Sequence, residues 1–326
     1  ETAHSMLCLQ VGRVVGAVVE ANSGSIYRYL MPSEANSLAT LYGGSSKVVE
    51  RKTIVMLQGY QPYSVKHNKE RESDSDRGNF VWQYGATRLL NPFTTFFVSP
   101  SANAASSAVA FVSAMANALN LDNAKQESFA YLNNLVEKLD VPGIQLGIGI
   151  QKEFVNDTTG FELHDFQKDY MLGLQKRQAN PAIAVQGNLT RIACENSGIS
   201  HCITMGCPSL TINREANLGA TMAQNWENLF EKIKNGRDIK ILLAIPRPLQ
   251  NGDEKKVMRL FKRVASHHTT KVVEQTNSDP RLATQFGLMN TTIFNNVEEW
   301  FDYTESVDLI LSGRIHGGMA GIARAT

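Results

Sequence analysis

The sequence predicts an α/β protein whose two halves each carry a parallel β-sheet. Short apolar runs typical of buried strands alternate with amphipathic helical segments along most of the 326 residues. A polar stretch at residues 151–180 interrupts this alternation, and the second half then repeats it. The last apolar run, within residues 307–323, ends in a glycine-rich turn where open α/β sheets bind ligands. We therefore predict domains at residues 1–175 and 176–326, with a ligand cleft between them.

The first half predicts short strands followed by a regular alternation of strands and helices. Residues 1–50 are punctuated by Gly and Pro and predict only short strands and loops. The charged run at residues 66–77 predicts a solvent-exposed loop, with a substrate lid as the alternative. Apolar spacing predicts strands at 53–57, 95–98 and 144–150, and helices at 80–90, 106–119 and 126–139.

The second half begins after the polar stretch, which we interpret as the crossing between domains. In the helix at residues 222–233, the spacing predicts a core-facing side made of Met222, Trp226, Leu229, Phe230 and Ile233. The remaining predicted helices are 188–196, 254–266, 279–287 and 297–303, and the strands are 182–185, 201–205, 239–245, 271–273 and one near 293.

Composition excludes several classes of partner. The chain has 43% hydrophobic and 19% charged residues, and 32 basic against 31 acidic residues give a net charge of +1. We expect no whole-protein attraction to nucleic acid or to an anionic membrane. No run of apolar residues reaches the length of a membrane span, so we expect none in this chain. The compartment stays open between the cytoplasm and a secretory lumen such as the Golgi, with any signal or anchor removed.

Familiar cofactor and metal motifs are missing from the sequence. The four cysteines lack zinc-site spacing, although a disulfide between two of Cys194, Cys202 and Cys207 stays open. The sequence contains no dinucleotide or P-loop glycine motif, no H-E-x-x-H and no G-x-S-x-G. We predict no metal and no resident cofactor.

The strongest candidate site follows the strand at residues 307–311. Arg314 and His316 come directly after it, and Gly317 and Gly318 open a segment of small residues. A fixed positive charge, an imidazole and free helix N–H groups at a strand end predict an anion site. The alternative is a strand-to-helix turn with ordinary surface hydrogen bonds.

Further candidates follow other strands. Gln186, Gly187, Thr190 and Arg191 lie at a strand-to-helix turn where an anion could bind, and the alternative is simple helix capping. We expect His164, within the polar stretch, to be a second acid or base.

Two other strand ends carry polar turns. At Cys207, Pro208 and Ser209 we expect the serine to face the cleft, and the cysteine has no adjacent base in the sequence. Ser101 and Asn103 provide groups suited to sugar hydroxyls or to a turn.

Taken in order, these motifs resemble the polysaccharide pyruvyltransferase family. The matching motifs are Gly-Asn at Asn79, Gly-Ile-Gly-Ile at 147–150, Gly-x-x-Thr at 187–190, Gly-Cys-Pro-Ser-Leu at 206–210 and Gly-Arg-Ile-His-Gly at 313–317. The resemblance implies a GT-B-like fold of two Rossmann-like domains whose parallel sheets face each other across a cleft. It also implies transfer of pyruvate from phosphoenolpyruvate, as donor substrate, to two hydroxyls of a glycan or lipid-linked oligosaccharide. Phosphate is released, and a pyruvate ketal forms.

The family resemblance assigns roles to the candidate residues. The second domain is the phosphoenolpyruvate side and the first is the acceptor side. We expect His316, with a pKa near 6.5, to donate a proton at neutral pH. Arg314 is expected to bind phosphate or carboxylate bidentately, assisted by the N–H groups of Gly317 and Gly318.

One position departs from the family pattern. Gln186 stands where the family commonly has Arg, so the second anion-binding turn lacks its charge. Two alternatives therefore stay open. One is a GT-B nucleotide-sugar glycosyltransferase, and the other is an inactive glycan-binding relative.

Overall fold

The computed structural model describes most of the chain beyond the first fifty residues. The described ranges are 15–21, 24–28, 45–50, 52–57, 77–88, 95–98, 108–116, 118–122, 126–151, 160–178, 182–246, 254–276, 279–289, 291–294 and 297–325. Within them the protein is mixed α/β with parallel sheets, which confirms the predicted class. The predicted charged loop lies outside the described residues except for Arg77.

The first three strands form a separate antiparallel sheet. They are β1 (Val15–Ala21), β2 (Gly24–Arg28) and β3 (Ser45–Glu50), in the order β2-β1-β3. The prediction of short strands in this region is confirmed. Their antiparallel pairing is an addition to the parallel sheets that the alternation predicted.

The first parallel sheet has the order β5-β4-β6-β8. Its strands are β4 (Lys52–Met56), β5 (Thr95–Val98), β6 (Ala108–Ser113) and β8 (Gly143–Gln145). Three helices of the first half are described, namely α1 (Gly78–Arg88), α2 (Gln126–Leu139) and α3 (Asp165–Arg177).

The alanine-rich helix predicted at residues 106–119 is wrong. The segment forms β6 and the short β7 (Leu119–Asn120). Strand β6 lies between β4 and β8 and is buried at Phe111, Val112 and Ser113. The alanines of this segment are typical of a helix, and this composition led to the wrong prediction. A central parallel strand is apolar on both faces, and its Val and Phe residues favour the strand.

The run at residues 143–151 is broken into pieces. Gly147 adopts a φ of +60°, which ends β8 and separates it from β9 (Ile150–Gln151). Between them, Ile148 forms a parallel bridge to Val185 in β10 (Ile183–Val185). Strand β10 pairs in parallel with β11 (Cys202–Thr204), and α4 (Asn188–Asn196) connects the two.

A single core therefore extends from β4 to the segment after α4. It includes Val55, Phe111, Ile148, Val185 and Ile199. Helix α3 lies within residues 151–180, the stretch interpreted as the crossing, and contributes a buried apolar face to this core. The predicted domain boundary at residue 176 lies in this helix, inside the segment that the core spans.

The second parallel sheet has the order β14-β13-β12-β15. Its strands are β12 (Lys240–Ala244), β13 (Thr269–Glu274), β14 (Thr291–Ile293) and β15 (Leu309–Ser312). Its helices are α5 (Leu218–Lys234), α6 (Glu254–Ala265), α7 (Asp279–Gln285), α8 (Val297–Thr304) and α9 (Ile315–Ile322). Separate hydrophobic clusters cover the two faces, one around Phe261 and one around Trp300.

Helix α5 does not bury the face that its sequence predicted. Only Leu229 is buried, whereas Trp226, Phe230 and Ile233 are 59%, 57% and 49% exposed. The helix is turned so that Leu229 meets the second sheet and Lys232 reaches the Asp308 carboxylate at 2.5 Å.

Helix α1 packs against residues of both parallel sheets. Phe80 and Tyr84 belong to the cluster that contains Leu242 and Val273. Trp82 belongs instead to the cluster that contains Met56 of the first sheet. Helix α1 therefore contributes side chains to one hydrophobic cluster of each parallel sheet.

Candidate functional site

The glycine-rich turn after β15 lies at the carboxyl edge of the second sheet. Gly313 sits against the strand next to it, since a Cβ there would lie 2.5 Å from Pro246 Cβ. Arg314 is the N-cap of α9 with an extended backbone, and His316 lies buried in the first turn. The Ser312 side chain accepts a hydrogen bond from the Arg314 N–H at 3.1 Å, which fixes the turn.

The Gly-Cys-Pro-Ser-Leu turn meets His316 although 109 residues separate Cys207 from it. The Cys207 Sγ lies 3.6 Å from His316 Nε2, and both side chains are buried. Ser209 donates its hydroxyl to Cys207 Sγ at 3.0 Å and is 0% exposed. The expectation that Ser209 faces an open cleft is therefore wrong. The structure thus places an imidazole beside Cys207, which has none near it in the sequence.

A short 3₁₀ helix (Pro208–Thr211) holds this turn against α1. The contact is made at Gly85, where a Cβ would lie only 2.1 Å from the Pro208 carbonyl oxygen. Thr211 donates its hydroxyl to the Gly85 carbonyl at 2.6 Å. Pro208 also packs over Gly147, whose added Cβ would lie 2.6 Å from the proline Cδ. The turn is thus fixed between α1 and the break after β8.

Burial keeps both groups of the Cys207–His316 pair neutral. It lowers the pKa of His316 from 6.5 to about 4. Burial also raises the pKa of the Cys207 thiol, and hydrogen bonds from Ser209 oppose this only in part. His316 is therefore a neutral imidazole at pH 7. At neutral pH it therefore carries no proton to donate, which differs from the expectation of a donor with a pKa near 6.5.

Arg314 forms a buried ion pair with Asp279. Its Nη2 lies 2.6 Å from Asp279 Oδ1, and the two side chains are 7% and 0% exposed. Asp279 also accepts hydrogen bonds from the N–H of Gln275 at 2.6 Å, and from the N–H and hydroxyl of Thr276 at 3.0 and 2.6 Å. The charge of Arg314 is thus balanced by a carboxylate that the sequence had not singled out.

The two glycines of the motif differ in their surroundings. A Cβ on Gly317 would lie 2.5 Å from Ser312 Oγ and 2.7 Å from both Ala244 Cβ and Gln275 Nε2. At Gly318 the nearest atom would be Ser312 Cβ at 3.6 Å, an ordinary contact. Only Gly317 is required for close packing against the sheet.

The turn at residues 186–191 is held within the first core by its own contacts. Gln186 packs its Oε1 where a Cβ on Gly149 would lie, 2.1 Å from it. Thr190 is buried and accepts the N–H of Ile150 at 3.1 Å, and Arg191 pairs with Glu195 at 2.5 Å. Gly187, the N-cap of α4, has no atom near its Cβ position. None of these contacts involves His316 or Cys207.

The remaining predicted residues divide between structural roles and undescribed positions. His164 is the N-cap residue of α3, donates from Nε2 to the Leu121 carbonyl at 3.1 Å and stacks on Phe166. Asn79 accepts the indole N–H of Trp82 at 3.1 Å within α1. These contacts do not bring either residue to His316. Ser101 and Asn103 lie outside the described residues.

Asp279 and Gln275 are site residues that sequence reasoning missed. A usable signal was present, because Thr276 and Asp279 have the Thr-x-x-Asp spacing of a helix-capping motif. No comparable signal exists for Gln275, whose importance depends on contacts with residues distant in the sequence.

No protein-family model, curated protein or solved structure matches the chain. The likeness to pyruvyltransferases therefore rests on the motifs alone. Among the described residues, no cluster of three or more His, Cys, Asp or Glu side chains could hold a metal ion. In the same part of the chain, every helix is too short or too polar to cross a bilayer.

Proposed function

We propose that the chain is a pyruvyltransferase that moves pyruvate from phosphoenolpyruvate to two hydroxyls of a glycan sugar. The observation that carries this proposal is the 3.6 Å contact between Cys207 and His316. It joins the two most specific motifs of the family resemblance, which are far apart in the sequence. The two motifs meet at the carboxyl edge of a parallel sheet, which is where such folds bind ligands.

The proposed fold is a GT-B-like pair of Rossmann-like units with the site between them. Two parallel sheets with helices support this arrangement, as does the position of α1 against residues of both. The first unit would hold the glycan or lipid-linked acceptor, and the second would hold phosphoenolpyruvate.

His316 is the residue to which we assign proton transfer. Overall, the two acceptor hydroxyls bond through oxygen to C2 of phosphoenolpyruvate, and the bond from C2 to the phosphate oxygen breaks. One hydroxyl proton ends on C3, which becomes a methyl group, and the other leaves with phosphate. We assign to His316 the transfer of one hydroxyl proton, first as base and then as acid. With a pKa of about 4 it is a weak base and a strong acid, so it holds the proton only transiently.

Arg314 has a second role beside its ion pair. Because Asp279 fixes the guanidinium and balances its charge, Arg314 orients the first turn of α9. The N–H groups of Gly317 and Gly318, to which the sequence assigned this contact, donate instead to the Arg314 carbonyl at 3.1 and 3.3 Å. The N–H groups of Ile315 and His316 would therefore face the phosphate or carboxylate of the donor. No resident cofactor or metal enters the proposed reaction.

Phosphate release from phosphoenolpyruvate tests the proposal. We expect release to depend on an added galactoside, glucoside or mannoside, and to fall at least about 100-fold in His316→Ala. His267→Ala is the matched control, because His267 is exposed at the end of α6. Equal turnover in wild type and His316→Ala would remove His316 from the reaction. Release from a nucleotide sugar alone would favour a glycosyltransferase.

A further inference from the structure

Within the ranges that the structure describes, the side chain of Gln275 is buried without a hydrogen-bond partner. Gln275 directly follows β13 at the carboxyl edge of the second sheet and is 0% exposed. Neither its Oε1 nor its Nε2 has a partner among the described residues. Unpaired polar atoms in the interior destabilise the folded state, and most buried amides avoid them. An amide with both ends unpaired is therefore a candidate for ligand binding.

The backbone holds this amide in a fixed position beside the candidate site. The N–H of Gln275 donates to Asp279 Oδ2 at 2.6 Å, and its carbonyl accepts the N–H of Arg77 at 2.8 Å. Its Nε2 lies 2.7 Å from the Cβ position of Gly317, so the amide faces the first turn of α9. His316 is the neighbouring residue in that turn.

The amide lies one side chain below the protein surface. Ser312 Oγ is 2.5 Å from the same Cβ position of Gly317, and Ser312 is exposed. Ser312 bonds the Arg314 backbone N–H and carbonyl, so a ligand that reaches Gln275 from the end of β15 must replace these hydrogen bonds. The amide packs directly against Gly317, where no side chain fits.

The amide favours a ligand group that can both donate and accept hydrogen bonds, because its Nε2 donates and its Oε1 accepts. A carboxylate or phosphate only accepts hydrogen bonds, so it could pair with Nε2 but not with Oε1. A hydroxyl can both donate and accept, so neighbouring sugar hydroxyls can satisfy both ends.

We propose that Gln275 binds hydroxyl groups of the sugar acceptor and thereby selects the acceptor. This inference rests on the proposed function for the identity of the sugar as acceptor. Hydroxyls held by Gln275 lie beside the turn that carries His316, the residue assigned to remove a hydroxyl proton. The acceptor, held mainly by the first unit, thus places its reacting hydroxyls at the edge of the second sheet, and Gln275 determines specificity without taking part in proton transfer.

The test compares Gln275→Met with Gln145→Met. Gln145 in β8 is 1% exposed, and within the described part of the chain both of its amide atoms also lack a partner, so it is a matched control in the first sheet. We expect both variants to raise the Tm, by about 2–4 °C, because each removes an unpaired buried amide. Isothermal titration with methyl galactoside, glucoside and mannoside should show at least about tenfold weaker binding only in Gln275→Met. Phosphoenolpyruvate binding should change less than about twofold.

Several results would overturn this assignment. They are a lower Tm in Gln275→Met, unchanged glycoside binding in that variant, and no glycoside binding by the wild type. A loss of phosphoenolpyruvate binding in Gln275→Met with glycoside binding intact has the same effect. If glycoside binding depends on Gln275 while phosphoenolpyruvate releases no phosphate, the proposed function fails and the role of Gln275 stands.

Discussion

His316 makes stability depend on pH as well as carrying the proposed chemistry. Its native pKa of about 4 lies below the unfolded value of 6.5. Between these values the unfolded chain binds more protons than the native protein, so stability rises with pH. From pH 6.5 to pH 4, this residue alone should cost about 3 kcal/mol of unfolding free energy.

Urea unfolding of wild type and His316→Asn at several pH values measures this dependence. We expect the wild type to lose more stability than the variant between pH 6.5 and 4, with the difference absent above pH 7. Parallel pH dependences in the two proteins would show that the imidazole is solvated and titrates normally.

The buried pair of Arg314 and Asp279 predicts a large effect of a single substitution. Asp279→Ala leaves the guanidinium buried without its carboxylate and removes the acceptor for two backbone N–H groups. We expect a loss of about 3–5 kcal/mol in unfolding free energy by urea titration. Glu195→Ala breaks the exposed pair with Arg191 and should cost less than about 1 kcal/mol. Similar losses in both variants would contradict the buried geometry.

The sequence pointed to Cys207, Ser209, Arg314 and His316 as candidate residues. It did not predict which of them are in contact or how deeply they are buried. Contact between Cys207 and His316 depends on folding over 109 residues, which no local spacing encodes. The neutral state of His316 follows from burial, and burial depends on how α9 packs. The charge of Arg314 was predicted without the partner that balances it.

The contact between α1 and the Cys207 turn can be tested with two glycine substitutions. Gly85→Ala places a Cβ 2.1 Å from the Pro208 carbonyl oxygen and should cost at least about 2 kcal/mol. Gly219→Ala in α5 meets no atom within 4 Å and should stabilise by about 0.5–1 kcal/mol, since alanine favours helix. Thermal unfolding measures both. A stabilising effect at Gly85 would show that the turn does not pack on α1.

Regular elements with clear periodicity were predictable, and elements decided by tertiary context were not. Helix α2 and helix α4 have the predicted bounds because their apolar spacing and flanking residues agree. Strand β6 was mistaken for a helix because central parallel strands lack alternation. Helix α5 buries only Leu229 of its apolar face, and its orientation depends on contacts between elements that hydrophobic spacing does not encode.

Helix α1 predicts that the two parallel sheets unfold together. Trp82 belongs to a cluster of the first sheet and Trp300 to a cluster of the second, while α1 contributes to both clusters. A variant whose only tryptophan is Trp82 reports on the first sheet by fluorescence, and a variant whose only tryptophan is Trp300 reports on the second. We expect their urea midpoints to coincide, because loss of α1 exposes both clusters. Two separated transitions would mean that the sheets are held independently.

The most direct test of the proposed function follows the donor carbon itself. Phosphoenolpyruvate labelled with ¹³C at C2 is incubated with the protein and a glycoside acceptor that it binds, and NMR follows the label. We predict that the label appears as a ketal carbon bonded to two sugar oxygens in the wild type and in His267→Ala, and not in His316→Ala. Label found only in free pyruvate, or an equal ketal signal in His316→Ala, would contradict the account.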